Sequence, residues 1–194
     1  LSEEVIASGS ITLDTTPPTG TIQIHNHVDT DLSLINDTIL SLTLTQADEH
    51  LERGAMRFAL DGQADSNWTS WEDLKDTKTL PIDSLTDGRH TLYYQIKDKA
   101  GNLSEALSAS FTLDTAPPTG TIEIVNHLSI TNQRLLPLTL TAQDTLSDVS
   151  EMAFSLDGIT FETPIRFTTD TTYQLPELEG NYVIYIKFKD EAGN

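Results

Sequence analysis

The chain has 194 residues, of which 30 are acidic and 11 basic, so its formal net charge at pH 7 is −19. A surface this acidic repels nucleic acid and anionic membranes, which excludes nucleic-acid binding as a function. Cysteine is absent, which excludes disulfides and thiolate metal sites, and no apolar run is long enough for a membrane-spanning helix.

An internal repeat organises the sequence. The segment Leu13–Ile22 recurs as Leu113–Ile122, and three more segment pairs recur further along in the same order. These pairs are Leu42–Thr45 with Leu138–Thr141, Phe58–Gly62 with Phe154–Gly158, and Asp98–Asn102 with Asp190–Asn194. Four ordered matches predict two copies of one structural unit.

Apolar and polar residues alternate within each copy, which predicts strands with one buried face and not helices. In chain order, the strands of the first copy are predicted near 21–25, 39–45, 55–60, 68–74, 79–82, 91–97 and 106–113. The second copy repeats the alternation at Leu136/Leu138/Leu140, Met152/Phe154/Leu156 and Ile184/Ile186/Phe188. Turn residues separate these runs, as at Asp61-Gly62 and Asp157-Gly158.

About seven short strands in roughly 100 residues are typical of an immunoglobulin-like sandwich. We therefore expect an all-β fold with two tandem Ig-like or fibronectin-III-like β-sandwiches, the second lacking its own last strand; a β-barrel is the alternative. Residues 1–14 are predicted to be an orphan strand, 15–114 the first domain and 115–194 the second. Pro117 and Pro118 hold the chain extended after the last strand of the first copy, which favours separate domains.

The pairing of Asp98-Lys99-Ala100-Gly101-Asn102 with Leu113-Asp114-Thr115-Ala116-Pro117-Pro118 resembles the bacterial Ig-like repeats of large surface proteins and giant adhesins. The resemblance covers essentially the whole chain. It implies an extracellular, cell-surface location, tandem stacking, a stalk or adhesin role and, in some relatives, Ca²⁺ at the domain joints. We expect a non-catalytic structural repeat. The alternatives are an adhesin module that binds sugar or protein, and an accessory module of a secreted hydrolase.

Acidic residues occupy matching places in the linker, the second loop and the last loop of both copies, which a sandwich brings to one pole. Ca²⁺ prefers six to eight oxygen ligands, which carboxylates and carbonyls supply. The candidate ligands are Asp14, Asp48, Asp98 and Asn102 in the first copy, and Asp114, Asp144, Asp190 and Asn194 in the second. In the alternative interpretation, Asp98 and Asn102 only cap a tight turn and Asp14 is an ordinary linker acid.

Two further motifs are interpreted as structural. His25-Asn26-His27 matches a nuclease motif in name only, because it ends a predicted strand and Val125 replaces its first histidine in the second copy. Trp68 and Trp71 suggest a sugar platform, but a spacing of three in a strand places them on opposite faces. Since no nucleophile elbow or phosphate-binding glycine loop is present either, we do not expect an enzyme.

The segment Leu1–Leu13 resembles a last strand without a domain before it, because Leu1-Ser2-Glu3 matches Leu103-Ser104-Glu105 and Ile11-Thr12-Leu13 matches Phe111-Thr112-Leu113. It also lacks the basic start and apolar centre of a secretory signal, so we expect the sequence to begin inside a longer protein. We expect this strand to complete the second domain of a neighbouring or preceding unit, head to tail. The assembly residues are Val5, Ala7, Ile11 and Leu13. Separate subunits and one long tandem chain both fit.

Overall fold

The computed structural model describes residues 9–25, 34–127 and 129–194. Within these ranges the chain forms fourteen β-strands and two single turns of 3₁₀ helix. Among the described residues no helix has the length and apolar character needed to cross a bilayer.

In its described residues, which leave out 26–33, the first repeat contains eight strands in two sheets. One sheet has the order β1-β3-β6 and the other the order β2-β8-β7-β4-β5. The strands are β1 (Thr19–His25), β2 (Leu34–Ile35), β3 (Ile39–Ala47), β4 (Ala55–Leu60), β5 (Glu72–Asp73), β6 (Thr77–Pro81), β7 (Gly88–Lys97) and β8 (Leu107–Leu113). All pairings between neighbours are antiparallel where the register is given, except that β2 runs parallel to β8.

The core of the first repeat lies on the faces that the alternation predicts. The buried side chains include Leu40, Leu42 and Leu44 from β3, Met56 and Phe58 from β4, and Leu92, Tyr94 and Ile96 from β7. The rings of Phe58 and Tyr94 stack with centroids 5.3 Å apart. Burial raises the pKa of Tyr94 to about 12, because ionising the phenol inside the core is costly.

The second repeat contains six strands, in sheets of order β13-β10-β9 and β12-β11-β14. They are β9 (Thr119–Ile124), β10 (Leu135–Gln143), β11 (Val149–Ser155), β12 (Ile165–Arg166), β13 (Asp170–Gln174) and β14 (Tyr185–Asp190). Its core consists of Leu136, Leu138, Leu140, Met152, Phe154 and Tyr173. The predicted fold class is therefore confirmed: the chain is all-β, with two tandem Ig-like or fibronectin-III-like sandwiches. Among the described residues the second sandwich has no counterpart of β8.

Internal contacts divide the chain into two compact units that do not follow the repeat. One unit contains Ser41–Leu80 and His90–Ser110 with the segment that ends at His25. The other contains Pro81–Arg89 and Phe111–Asn194 with the segment that ends at Leu40. The division passes through β8, so the domain limits expected from the repeat stay a prediction.

One predicted strand is much shorter than expected. The segment 68–74 contains only the two-residue β5 and an isolated bridge between Ala59 and Trp68. A 3₁₀ turn at Asp65–Asn67 precedes the bridge, and the Trp68 indole donates to the Gln63 carbonyl at 3.2 Å. The turn lies before the predicted strand, and within that strand only Trp68 and Glu72–Asp73 pair with β4.

Candidate functional site

The last loop of each repeat is closed by an aspartate that accepts hydrogen bonds from the loop itself. Asp98 Oδ1 accepts from the amides of Gly101 and Asn102 at 2.7 and 2.8 Å, and Asp98 Oδ2 accepts from Asn102 Nδ2 at 2.8 Å. Asp190 makes the same bonds in the second repeat, to Gly193 and Asn194. Both aspartates are buried, so each carboxylate stabilises the turn that encloses it.

Hydrogen bonding decides the charge state of Asp98. Burial by itself would raise the pKa of this carboxyl, but the bonds from Asn102 and the amides of Gly101 and Ala100 outweigh it and hold the pKa below its usual range. Asp98 is thus an anion whose oxygens already have partners in the protein. These bonds cap the turn, as the same bonds do at Asp190, and the metal-ligand role of Asp98 and Asn102 stays a prediction.

The same loops hold the linkers that enter each sandwich. Asn102 Nδ2 donates to the backbone oxygen of Asp14 at 3.2 Å, and Asn194 Nδ2 donates to that of Asp114 at 2.8 Å. The structure therefore brings the predicted linker and last-loop residues together at equivalent places in both repeats.

In the second repeat the three predicted acids form one cluster. Asp114, Asp144 and Asp190 each offer a carboxylate oxygen, and these oxygens lie within 4.8 Å of one another. Asp114 Oδ2 accepts from the Ser147 hydroxyl at 2.6 Å, and its Oδ1 accepts from the Ala116 amide at 3.3 Å. Such a group of oxygens suits a hard divalent cation.

The negative charges of this cluster act on one another. Burial raises the pKa of Asp114, and the charges of Asp144 and Asp190 raise it further against the opposing bonds from Ser147 and Ala116. Asp144 differs, because the amides of Leu146 and Ser147 hold the pKa of its carboxyl below the usual range. A cation would relieve this repulsion.

In the first repeat the cluster has a different composition. The groups that converge within 4.8 Å are Asp14, Asp48 and His50, and this cluster does not include Asp98. Asp48 Oδ1 accepts the His50 amide at 2.7 Å, and His50 Nδ1 lies 3.0 Å from Asp14 Oδ2. Sequence reasoning missed His50. The repeat places His50 opposite Leu146, but Leu51 and Ser147 differ at the next position as well, so the comparison of the repeats gave no signal that singles out His50.

The tryptophan pair lies on one side of the first sandwich, so the expectation of opposite faces was wrong. The Arg57 guanidinium carbon is 4.5 Å from the ring centroids of both Trp68 and Trp71, and Lys97 Nζ is 4.3 Å from that of Trp71. Arg57 also donates two hydrogen bonds to Gln95 Oε1, at 3.0 and 2.7 Å. The indoles therefore stack on cations of their own repeat.

The sheet edge at β14 differs from its counterpart in the first repeat. There, β7 lies between β8 and β4, whereas β14 pairs with β11 and, among the described residues, has no strand on its other side. The inward side chains of β7 are almost fully buried. Those at the matching positions of the second repeat, Ile184, Ile186 and Phe188, are only half-buried.

The expected assembly residues that the structure describes differ from their counterparts in solvent exposure. Ile11 and Leu13 are 97% and 87% exposed, whereas Phe111 and Leu113, at the same places in β8, are 1% and 2% exposed. Val5 and Ala7 lie outside the described residues. In the first repeat, the counterparts of Ile11 and Leu13 are thus buried in a sandwich, whereas Ile11 and Leu13 themselves are exposed.

Comparisons with known proteins give likenesses at the level of the fold alone. No family model matches the chain, and no curated protein is similar to it. The fibronectin(III)-like modules of Clostridium thermocellum CbhA are 14% identical and match over 90% of this chain and 87% of theirs, with a TM-score of 0.45. A tetra-tandem repeat in the extending region of a large adhesion protein is 17% identical over 91% of this chain and 47% of that one, with a TM-score of 0.32.

Dimeric latent PorU from Porphyromonas gingivalis is 13% identical over 96% of this chain but only 18% of its own, with a TM-score of 0.35. The chain thus spans less than half of the adhesion-protein structure and under a fifth of PorU. At these TM-scores the likenesses carry no argument about function. The class that the fold defines is an all-β protein of tandem Ig-like or fibronectin-III-like sandwiches.

Proposed function

We propose that the chain is a non-catalytic structural repeat of an extracellular stalk, adhesin or filament, joined head to tail to further repeats by strand completion. The observation that carries this proposal is the contrast between the covered edge of β7 and the open edge of β14. The occupant of the open edge is the 1–14 segment of another repeat unit. That unit is either a separate copy or an adjacent repeat of one longer chain.

The energetics favour this occupant. Phe111 and Leu113 bury their side chains where β8 covers the first sandwich, and Ile11 and Leu13 are their sequence counterparts. Burying a large apolar side chain contributes about 1.5–3 kcal/mol. Pairing also satisfies the outward backbone groups of an edge strand, which otherwise invite non-specific association. Lys187 and Lys189, both exposed on β14, limit such association while the edge is open.

Calcium is the second part of the proposal. We propose that Asp114, Asp144 and Asp190 hold Ca²⁺ through their carboxylates. Asn194, whose side-chain amide donates to the backbone oxygen of Asp114, belongs to the same site. The support is the convergence of three carboxylate oxygens and the raised pKa of Asp114. A bound cation would fix the linker to the second sandwich.

A peptide-complementation experiment tests strand completion. The acceptor is the full chain with Ile11→Asp and Leu13→Asp, whose own donor segment is disabled. A synthetic peptide with the sequence of residues 1–14 is added, and binding is followed by calorimetry and by the amide spectrum of β14. We expect saturable one-to-one binding that raises the melting temperature.

The matched control is the same peptide carrying both aspartates, which should not bind. Strand completion is refuted if the wild-type peptide leaves the β14 amides unchanged. The comparison works for separate subunits and for one long chain alike. A denaturing gel of the native material then distinguishes these two arrangements, because separate subunits run near 21.4 kDa and one long chain runs at a much higher mass.

A further inference from the structure

We infer that the first repeat contains a site for a divalent transition cation of the zinc class, bound by Asp14, Asp48 and His50. The inference goes beyond the proposed function, which gives this repeat only a structural role. It differs from the calcium set expected from the sequence, because Asp98 does not converge with Asp14 and Asp48, whereas His50 does.

An unpartnered buried group points to the ligand. The Asp14 side chain is only 8% exposed. Its Oδ1 accepts from the Thr16 amide at 3.0 Å, but the buried atoms Asp14 Oδ2 and His50 Nδ1 make no hydrogen bond among the described residues and face each other at 3.0 Å, an ion pair only if the imidazole is protonated. Leaving buried polar atoms without hydrogen bonds costs free energy. A bound group that accepts both atoms as ligands would remove this cost.

The spacing of the two atoms suits one metal ion. Asp14 Oδ2 and His50 Nδ1 are 3.0 Å apart without hydrogen-bond geometry between them. Zinc binds imidazole nitrogen and carboxylate oxygen at about 2.0–2.2 Å, so adjacent ligand atoms of a tetrahedral site lie about 3.3–3.6 Å apart, which needs a shift of only a few tenths of an ångström here. The ligand atom of Asp48 lies within 4.8 Å of both. The three groups thus converge as ligands of a single ion do.

The second repeat shows how the equivalent carboxylate is satisfied without a histidine. There, the equivalent linker residue Asp114 receives the Ser147 hydroxyl on its Oδ2, at 2.6 Å. The first repeat has Leu51 in place of Ser147 and His50 in place of Leu146. The same linker carboxylate is therefore satisfied by a hydroxyl in one repeat and faces an imidazole nitrogen in the other.

The donor set selects the class of ion. Imidazole nitrogen suits zinc and its transition-metal neighbours, whereas Ca²⁺ takes oxygen ligands. The loop is held in place for binding: the His50 amide donates to Asp48 Oδ1 at 2.7 Å, and the His50 carbonyl accepts from the Lys99 amide at 3.1 Å. Water would complete the coordination of an ion with three protein ligands.

Calorimetric titration of the chelator-treated full chain with Zn²⁺, and in parallel with Ca²⁺, tests the inference. The test variant is His50→Leu, which introduces the residue that the second repeat carries at this place. The control is His25→Gln, at an exposed histidine of β1 that contacts Thr43. Removing a direct ligand should lower Zn²⁺ affinity by at least about 10- to 100-fold, the range found for outer-shell partners. The control should bind as the unaltered chain does.

Three results would overturn the site: no Zn²⁺ uptake by the unaltered chain, equal uptake by His50→Leu, or loss of uptake in His25→Gln.

An NMR titration of the unaltered chain is independent of how the variants fold. Zn²⁺ should shift the His50 Nδ1 resonance at one equivalent, before those of the other histidines. Ca²⁺ should not reproduce the shift, and a shift with Ca²⁺ alone also refutes a zinc-class site.

Discussion

The carboxylate of Asp157 lies in an exposed turn and accepts short hydrogen bonds from its own loop. The amides of Ile159 and Thr160 donate to Oδ1 at 2.8 and 2.7 Å, and the Ser155 hydroxyl donates at 2.8 Å. These bonds stabilise the anion and lower the pKa of Asp157 to about 2. Asp114 shows the opposite shift, because burial and neighbouring carboxylates penalise its charge. For the same residue type, the environment of the two oxygens decides the charge.

The low pKa of Asp157 predicts an acid-sensitive turn. Its folded pKa of about 2 is below the unfolded value of about 3.9, so its contribution to stability is present above about pH 4. That contribution is lost as the pH falls from about 4 through about 2. Asp157→Asn should therefore make the unfolding free energy less dependent on pH in this window, as measured by urea denaturation. If the Asp157 carboxyl carbon titrates near pH 4 by NMR, the prediction is wrong.

The sequence predicted that acids would gather but not which of their atoms are used. The repeat placed Asp114, Asp144 and Asp190 at one pole because topology fixes where these loops meet. It did not exclude Asp98 from the first cluster, because Asp98 and Asp190 make the same turn bonds and differ only in whether their oxygens converge with the linker acid. Single-residue departures such as His50 give no periodic signal.

At the scale of the element, the first strand of each repeat is shaped by a glycine. A Cβ at Gly20 would lie 2.1 Å from the Thr45 carbonyl oxygen and 2.7 Å from Ile96 Cδ1. At Gly120 it would lie 2.3 Å from the Thr141 carbonyl oxygen. Both strands therefore approach their neighbours closely at the same place. This explains why Thr-Gly-Thr-Ile is repeated at the start of β1 and β9.

Gly120→Ala should destabilise the second sandwich. The added methyl group meets a backbone oxygen that cannot move without disturbing the pairing of β9 with β10, and such overpacking costs about 1–3 kcal/mol. Urea denaturation should show a lower midpoint. The control is Gly9→Ala, where an added Cβ has no atom within 4 Å, and its midpoint should not change. Equal midpoints for the two variants would contradict the close-approach argument.

Element prediction succeeded where the alternation was long. The predicted and observed limits of β4 coincide at Ala55–Leu60, and those of β3 and β7 agree to within a few residues. The two-residue strands β2 and β5 are too short to show a period. Their pairing depends on tertiary contacts, which for β2 means parallel alignment with Thr112 and Leu113 of β8.

At the scale of the whole molecule, the two repeats share strand order but differ in how one sheet is closed. In the first repeat, the segment after the last loop pairs with β7, where the Ile96 amide donates to Ser104 Oγ at 2.9 Å and the Ser104 amide donates to the Ile96 carbonyl at 2.9 Å. The described residues provide no such partner for Phe188, the counterpart of Ile96. The amides of β14 that point away from β11 therefore lack the strand that protects those of β7.

Native-state hydrogen exchange should reveal this difference. Exchange through local opening depends on hydrogen bonding and coverage, so the outward amides of β14 should exchange faster than the matched amides of β7. The internal control is the opposite sheet: β3 lies between β1 and β6, and β10 between β9 and β13. The difference in protection between matched amides of β3 and β10 gives the difference in overall stability between the repeats. Subtracting it from the difference between β7 and β14 leaves the effect of the open edge.

The peptide with the sequence of residues 1–14 should slow exchange of the β14 amides and leave those of β10 less affected. Equal corrected protection of β7 and β14 without peptide would mean that the edge is already covered, and strand completion would then have no acceptor in this chain.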